Sequence, residues 1–256
     1  MTPRYAVCDV AVDGIGPGAA VSWILERCAT RTGGAVHLAN AWSLALARQD
    51  VEHRARLAAA DLVVPDGMPL VWIARRLGLD VPDRVYGPDL LDRTMDRGRA
   101  VGLRHHLYGA GPDVVEEAAE VLARRHPGAL IVAADSPPFG PVTPASAQVA
   151  IDRVDEVGAD VVWVALGTPR QDALMHWIRP AVQPVLIGVG AAFDFIAGAQ
   201  PQAPPVLRRA GLEWAFRLAS QPRRLGRRYL VGNAVFLRGL AASPPHLLPD
   251  QSSTSP

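Results

Sequence analysis

Short apolar runs alternate with stretches of helical spacing from the start of the chain to about residue 200. The runs Ala6–Val12, Ala35–Ala39, Leu62–Val64, His106–Tyr108, Leu130–Ala133, Val161–Leu166 and Val185–Val189 predict strands. Between them, segments such as Val114–Arg125, Ala145–Val157 and Gln171–Trp177 place apolar residues three and four apart and predict helices. Repeated β–α alternation implies a mainly parallel, Rossmann-like sheet flanked by helices. In such sheets ligands bind beyond the carboxyl ends of the strands. The polar and glycine positions that follow strands are Asn40, Asp66, Gly109-Ala-Gly111, Gly167-Thr-Pro-Arg-Gln171 and Gly188–Asp194.

The alternation stops at Gln200-Pro-Gln-Ala-Pro-Pro205, a proline-rich hinge. Beyond it the pattern turns basic and amphipathic to about Leu240. This divides the chain into an α/β catalytic domain (1–200), a C-terminal helical basic appendage (201–240) and a Ser/Pro-rich tail (241–256) expected to be disordered. Between Pro205 and Leu230 stand seven arginines and one acid, Glu213, in a chain whose formal net charge is +1. Trp214, Phe216, Leu218, Leu225 and Tyr229 are threaded through them. Such a segment suits an anionic partner.

Composition narrows the chemistry. At 256 residues, 49% hydrophobic and 20% charged, the chain can bury a sizeable core. It has no lysine, which excludes Schiff-base and P-loop-lysine mechanisms. Two cysteines, Cys8 and Cys28, suggest no disulfide framework and fit a reducing compartment. The opening Met1-Thr-Pro-Arg-Tyr5 lacks the apolar core of a signal peptide, and no run reaches the roughly 18 apolar residues of a membrane span. The expected location is the cytoplasm, peripheral on the inner membrane face.

Asp66, past a strand and before Gly67, stands where an aspartate caps the helix starting near Pro69, the reading its spacing alone favours, and also where a general base faces a ligand. Gly109-Ala-Gly111-Pro112 follows a strand and opens a helix, as a phosphate-binding turn or a plain tight turn does; a third glycine is missing and Asp113 would repel phosphate. Thr168-Pro-Arg-Gln171 reads as a capping box with Pro169 at the first helical position. No two aspartates stand two apart, no His/Cys/Asp cluster has metal spacing, and His105 and His106 must point to opposite faces of their strand. No metal and no cofactor are expected. A diphosphate leaving group would then rely on arginines or backbone amides.

Several segments together resemble the WecG/TagA/CpsF family of bacterial glycosyltransferases. They are Asn40-Ala-Trp42, Val64-Pro-Asp66-Gly-Met-Pro69, Arg84-Val-Tyr-Gly-Pro-Asp89, Leu166-Gly-Thr-Pro-Arg-Gln171-Asp172, Gly188-Val-Gly-Ala-Ala-Phe-Asp194 through Gly198, and Gly211-Leu-Glu-Trp-Ala-Phe-Arg217 through Tyr229. The ordered set spans roughly residues 5 to 238. The resemblance implies a metal-independent, inverting transferase. Its donor would be a UDP-sugar, often of the N-acetylmannosamine type, and its acceptor a polyprenyl-diphosphate-linked sugar in cell-surface polysaccharide or teichoic acid synthesis. It implies Asp66 as the base, and Asn40, Arg84 and Gln171 at the sugars. Gly109, Gly111, Phe139, Gly167 and Asp194 would meet the nucleotide, Phe139 by stacking on the uracil. Arg217, Arg224 and Arg227 would contact diphosphate, leaving the other appendage arginines and aromatics to the membrane. On this reading the appendage is dispensable for folding and required for transfer.

The chain departs from the family pattern at three places. Leu38 replaces a common threonine, Asp172 a glutamate, and Gln202 the arginine of a hinge Arg-Ala-Pro. Two other classes stay open: an oxidoreductase using Gly109–Gly111, and a non-catalytic membrane scaffold. Nucleic acid is not an expected partner, because bulky apolar groups interrupt the arginines. Those apolar groups would suit a second copy of the chain as well as lipid.

Overall fold

The computed structural model describes residues 2–249, with every side chain among them except those of Pro205, Arg209, Arg224, Arg227 and Arg228. The chain opens with β1 (Arg4–Val7), β2 (Val10–Asp13) and α1 (Pro17–Ala29). β3 (Gly34–Ala39) leads to α2 (Ala41–Gln49) and α3 (Val51–Ala58), and β4 (Leu62–Pro65) to α4 (Met68–Arg76) and α5 (Gly87–Gly98). Three β–α units follow: β5 (Arg104–Gly109) and α6 (Pro112–Arg125), β6 (Leu130–Asp135) and α7 (Pro144–Val157), β7 (Val161–Ala165) and α8 (Arg170–Ile178). β8 (Val185–Gly188) and α9 (Ala192–Ile196) precede α10 (Pro205–Arg209), α11 (Glu213–Ser220), α12 (Pro222–Ala242) and β9 (His246–Leu247).

Six strands form one parallel sheet in the order β4-β3-β8-β7-β5-β6. This is the expected α/β class. One face packs on α1, α5 and α6 through Ile24, Leu91, Leu107, Leu122 and Trp163. The other packs on α7 and α8 through Val154, Val162, Val164, Leu174 and Met175. Trp163 donates its indole N–H to His105 Nδ1 at 3.2 Å, and burial pushes the His105 imidazolium down to about 4. His106, next in sequence, meets Asp135 Oδ2 at 2.8 Å instead.

Ala6–Val12 is not one strand. Cys8 and Asp9, at φ 52° and 63°, form a two-residue turn of the type that matches strand twist, and fold the run into the hairpin β1–β2. That hairpin belongs to a separate three-stranded antiparallel sheet, β2-β1-β9. The expectation of disorder from Ala241 onward also fails over its first nine residues. Helix α12 runs to Ala242, His246 and Leu247 pair with Ala6 and Tyr5, and Leu248 N–H donates to Arg4 O at 2.9 Å. The rest of that segment, 250–256, lies outside the described residues.

The boundary at residue 200 does not separate two cores. Phe236 of α12 is buried in the cluster formed by the hairpin, α2 and α4. Gly232 and Gly239, on the same face, let α12 approach α2 closely. A methyl at 232 would stand 2.7 Å from the Trp42 ring, and one at 239 would stand 2.6 Å from both Cys8 Sγ and Arg48 Cδ. The second half of α12 is therefore a structural wall of the α/β unit.

Candidate active site

All six strands of the parallel sheet deliver residues at or beyond their carboxyl ends to one cleft of about 750 Å³. A second cavity of about 540 Å³ lies between α2, α4, α11 and α12, walled by Trp42, Met68, Trp72, Trp214, Phe236 and Leu237. Asn40, Asp66, Glu213 and Arg217 line both. Asp66 thus stands at the junction of a polar cleft and an apolar one.

Asp66 does not cap the helix after it. Gly67 occupies the cap position of α4, with no side-chain bond. The Asp66 backbone is held by its N–H to Ala39 O at 2.8 Å. Asn40 caps α2, its Oδ1 accepting from the N–H groups of Trp42 and Ser43 at 3.1 and 3.3 Å. That fixes the amide and leaves Nδ2 to donate to Asp66 Oδ2 at 3.2 Å. Arg84 donates from Nη1 to the Asp66 carbonyl at 3.3 Å and from Nη2 to Glu213, with its guanidinium 4.3 Å from the centre of the Tyr86 ring. Burial pushes the Asp66 carboxyl up to about 6; Arg84 opposes the shift, Glu213 adds to it, and Asn40 and Arg217 oppose it. A carboxylate poised there takes a proton efficiently near neutral pH.

Gln171 closes the opposite wall. The predicted capping box is absent: Pro169, not Thr168, holds the cap position of α8, after a cis Thr168–Pro169 bond. Gln171 turns into the cleft, where its Oε1 accepts the Gly190 N–H at 2.9 Å. A methyl added at Gly188 would stand 2.8 Å from Gln171 Nε2 and would push that amide out of its place. Asp172 is buried against β3, where its Oδ1 accepts from His37 Nδ1 at 2.7 Å. Burial raises its pKa, but the bond from His37, the nearby His53 and the polar Thr168 outweigh that and hold it below the usual carboxylate range. Leu38 lines the cleft beside Gly87 and turns a hydrocarbon to the site.

The remaining predicted residues divide. Gly111, Phe139, Gly167 and Asp194 line the cleft. Gly109 does not; it sits behind the turn at φ 128°, where a methyl would stand 2.7 Å from the Ala165 carbonyl. Ala110 and Gly111 present the turn, and Ser136 Oγ braces it on the Ala110 carbonyl at 2.7 Å. Phe139 is 93% exposed at the rim, with the Arg170 guanidinium 4.4 Å from its ring centre. Arg217 lies 5.3 Å from the Phe195 ring and reaches both cavities. Gln202, at the hinge, donates to the Tyr86 hydroxyl at 2.9 Å. The side chains of Arg224 and Arg227 lie outside the described residues.

Three features were not read from the sequence: the Arg84–Glu213 pair, the Arg170–Phe139 stack, and the apolar cavity. Glu213 carried one signal, as the lone acid among seven arginines, that marked it for more than charge counting. Among the described residues no group of three or more His, Cys, Asp or Glu could hold a metal ion, and no helix is long and apolar enough to cross a membrane.

Residues 5–245 match the glycosyl transferase WecG/TagA/CpsF family. The chain is also similar to the N-acetylglucosaminyldiphosphoundecaprenol N-acetyl-beta-D-mannosaminyltransferase of Bacillus spizizenii. The two are 31% identical over 204 residues, covering 78% of this chain and 77% of that protein.

Proposed function

The chain belongs to the glycosyl transferase WecG/TagA/CpsF family, and on that premise we propose that it moves an N-acetylmannosamine-type sugar from a UDP donor to a polyprenyl-diphosphate-linked sugar, with inversion and without a metal. The observation that carries this reading is the position of Asp66 at the meeting point of two cavities of opposite character. The oxidoreductase reading of Gly109–Gly111 falls with the family membership.

In the proposed reaction the acceptor hydroxyl gives its proton to Asp66 as its oxygen attacks the anomeric carbon of the donor sugar. The bond from that carbon to the diphosphate breaks on the opposite face, and the diphosphate leaves with the electron pair. Asn40 holds the carboxylate in place for this step, and Gln171 borders the donor sugar. The amides of the Ala110–Gly111 turn, the loop at Gly167 and the Arg217 guanidinium surround the developing anion. Arg224 and Arg227 are proposed to join them on the diphosphate. Asp194 suits the ribose hydroxyls. The apolar cavity suits the prenyl side of the acceptor, and the exposed Trp72, Leu212, Trp214 and Leu237 around it suit the cytoplasmic membrane face. Each arginine near an anionic leaflet adds about 1 kcal/mol of attraction.

A donor screen tests the reading: UDP-ManNAc, UDP-glucose, UDP-galactose and UDP-GlcNAc, each against a polyprenyl-diphosphate-GlcNAc analogue, with NMR of the product anomer and parallel reactions in EDTA. Transfer with inversion that survives EDTA is expected. Retention, or loss of turnover on chelation, would overturn the corresponding part. For the base platform, Phe139→Ala is expected to weaken UDP-sugar binding on the order of tenfold, the value of one base–aromatic stack, with kcat nearly unchanged. Unaltered affinity by calorimetry would remove Phe139 from the nucleotide site.

A further inference from the structure

We propose that Glu213 is a positioning residue for transfer, whose carboxylate holds Arg84 away from the Asp66 carboxylate and seats α11 over the junction of the two cavities; the inference rests on the reading of Asp66 as the base. Glu213 is the single acid among the seven arginines between Pro205 and Leu230. A solvated counter-charge would sit on the outer face. Instead the Glu213 and Arg84 side chains are only 11% and 12% exposed. Arg217 stands one helical turn along from Glu213, at the i+4 spacing of a local ion pair. Glu213 instead pairs with Arg84, 129 residues away.

The geometry of Arg84 gives that choice a purpose. Its guanidinium lies over Tyr86, one nitrogen on the Asp66 main-chain carbonyl and another on Glu213. Among the described residues it makes no hydrogen bond to the Asp66 carboxylate. Arginine binds carboxylates as a two-pronged fork. With Glu213 gone, the nearest anion for the released prong is Asp66 itself, and a base captured by that fork is a weaker base. The entry to α11 is fixed as well. Gly211, at φ 70°, is wedged so closely on α4 that a methyl there would stand 2.9 Å from Trp72 Cη2, and Leu212 N–H bonds Leu207 O at 2.8 Å. The charged and polar groups facing Asp66 are Arg84, Glu213, Asn40 and Arg217, and Glu213 is the acid among them that holds its pKa up.

The test is an NMR titration of the Asp66 carboxyl carbon in 13C-aspartate-labelled protein, alongside steady-state transfer. In Glu213→Gln the Asp66 midpoint is expected to fall by roughly one pH unit, the acid limb of kcat to follow it, and kcat to drop tenfold or more, on the order of the losses that misplacement causes. The donor KM should change less than kcat, since the donor-facing groups outside α11 are untouched. Glu213→Asp should recover part of both. An unmoved midpoint in folded Glu213→Gln overturns the proposal. If that variant does not fold, Arg84→Gln with Glu213→Gln removes both ends of the ion pair together and carries the test. Its Asp66 midpoint should lie at or above wild type, because Arg84 lowers it more than Glu213 raises it; a midpoint below wild type overturns the proposal. The titration needs no substrate. A shifted midpoint in a protein whose wild type transfers no sugar would sink the reading of Asp66 as base and leave the positioning of Arg84 standing.

Discussion

Asp66→Asn is expected to lower transfer on the order of 10³-fold, the usual yield of a positioned general base, and at the same time to stabilise the protein. The two effects share a cause. The Asp66 carboxyl titrates at about 6 against an ordinary 3.8, chiefly because the fold removes it from water. Below about pH 4 the group is protonated in folded and unfolded chains alike and costs nothing. As pH rises from about 4 to 6 the unfolded chain loses its proton first, so stability falls; above 6 the cost is constant at roughly 3 kcal/mol. Asparagine has the same shape, keeps a partner in Asn40 and carries no charge. The variant should melt about 5–10 °C higher than wild type at pH 7, with the gap closing toward pH 4. Wild-type kcat should rise through about pH 6 and level off, while the residual rate of the variant shows no such limb. Calorimetric melts and pH–rate profiles check both halves. Near-wild-type turnover removes Asp66 as base, and a variant that melts lower than wild type at pH 7 removes the account of its burial.

Truncation after Gln200 is expected to abolish the folded state as well as transfer. The sequence pattern alone favours the opposite, a detachable basic lid. The structure changes the expectation because α12 closes the cluster formed by Tyr5, Val7, Val12, Leu44 and Val71. Removing one buried phenylalanine side chain costs about 3–5 kcal/mol, and Phe236 is only one of the groups lost. Gly232, which faces Trp42, and Gly239, which faces Cys8, leave with it, and β1 loses its partner β9. A whole domain is stable by only about 5–15 kcal/mol. The 1–200 fragment should therefore lose its cooperative melt and bind ANS. A fragment that melts within a few degrees of the full chain would show that α12 is an ornament on a complete core.

The parallel sheet was legible because β–α alternation and short apolar runs are local properties, and so were the places where ligand-facing residues follow strands. Asn40, Asp66, Gln171 and Asp194 all reach the cleft for that reason. What was not legible depends on distance or on unmarked turns. The hairpin at Cys8-Asp9 uses two positive-φ residues with neither glycine nor asparagine to announce it. Thr168 and Gln171 have the spacing of a capping box, yet Gln171 finds a better partner in Gly190, which no local pattern reveals. Gly232, Phe236 and Gly239 spell a docking stripe at helical spacing, but its partner α2 lies far upstream. The ion pair between Arg84 and Glu213 joins residues 129 positions apart, so neither one's neighbours in sequence betray it.

The packing of α12 on the first hairpin also sets when the protein can come into being. Cys8 donates its thiol hydrogen to the carbonyl of Phe236, 228 residues later. At the pace of translation, roughly 5–20 residues per second, about 10–50 s separate the synthesis of the two. Through that interval β1 and β2 have neither β9 nor a complete α12 to cover them, and for most of it Asp66 has neither Glu213 nor Arg217 beside it. A nascent chain short of Phe236 thus holds an uncovered hairpin. The first strands therefore wait for a helix 228 residues downstream to cover them.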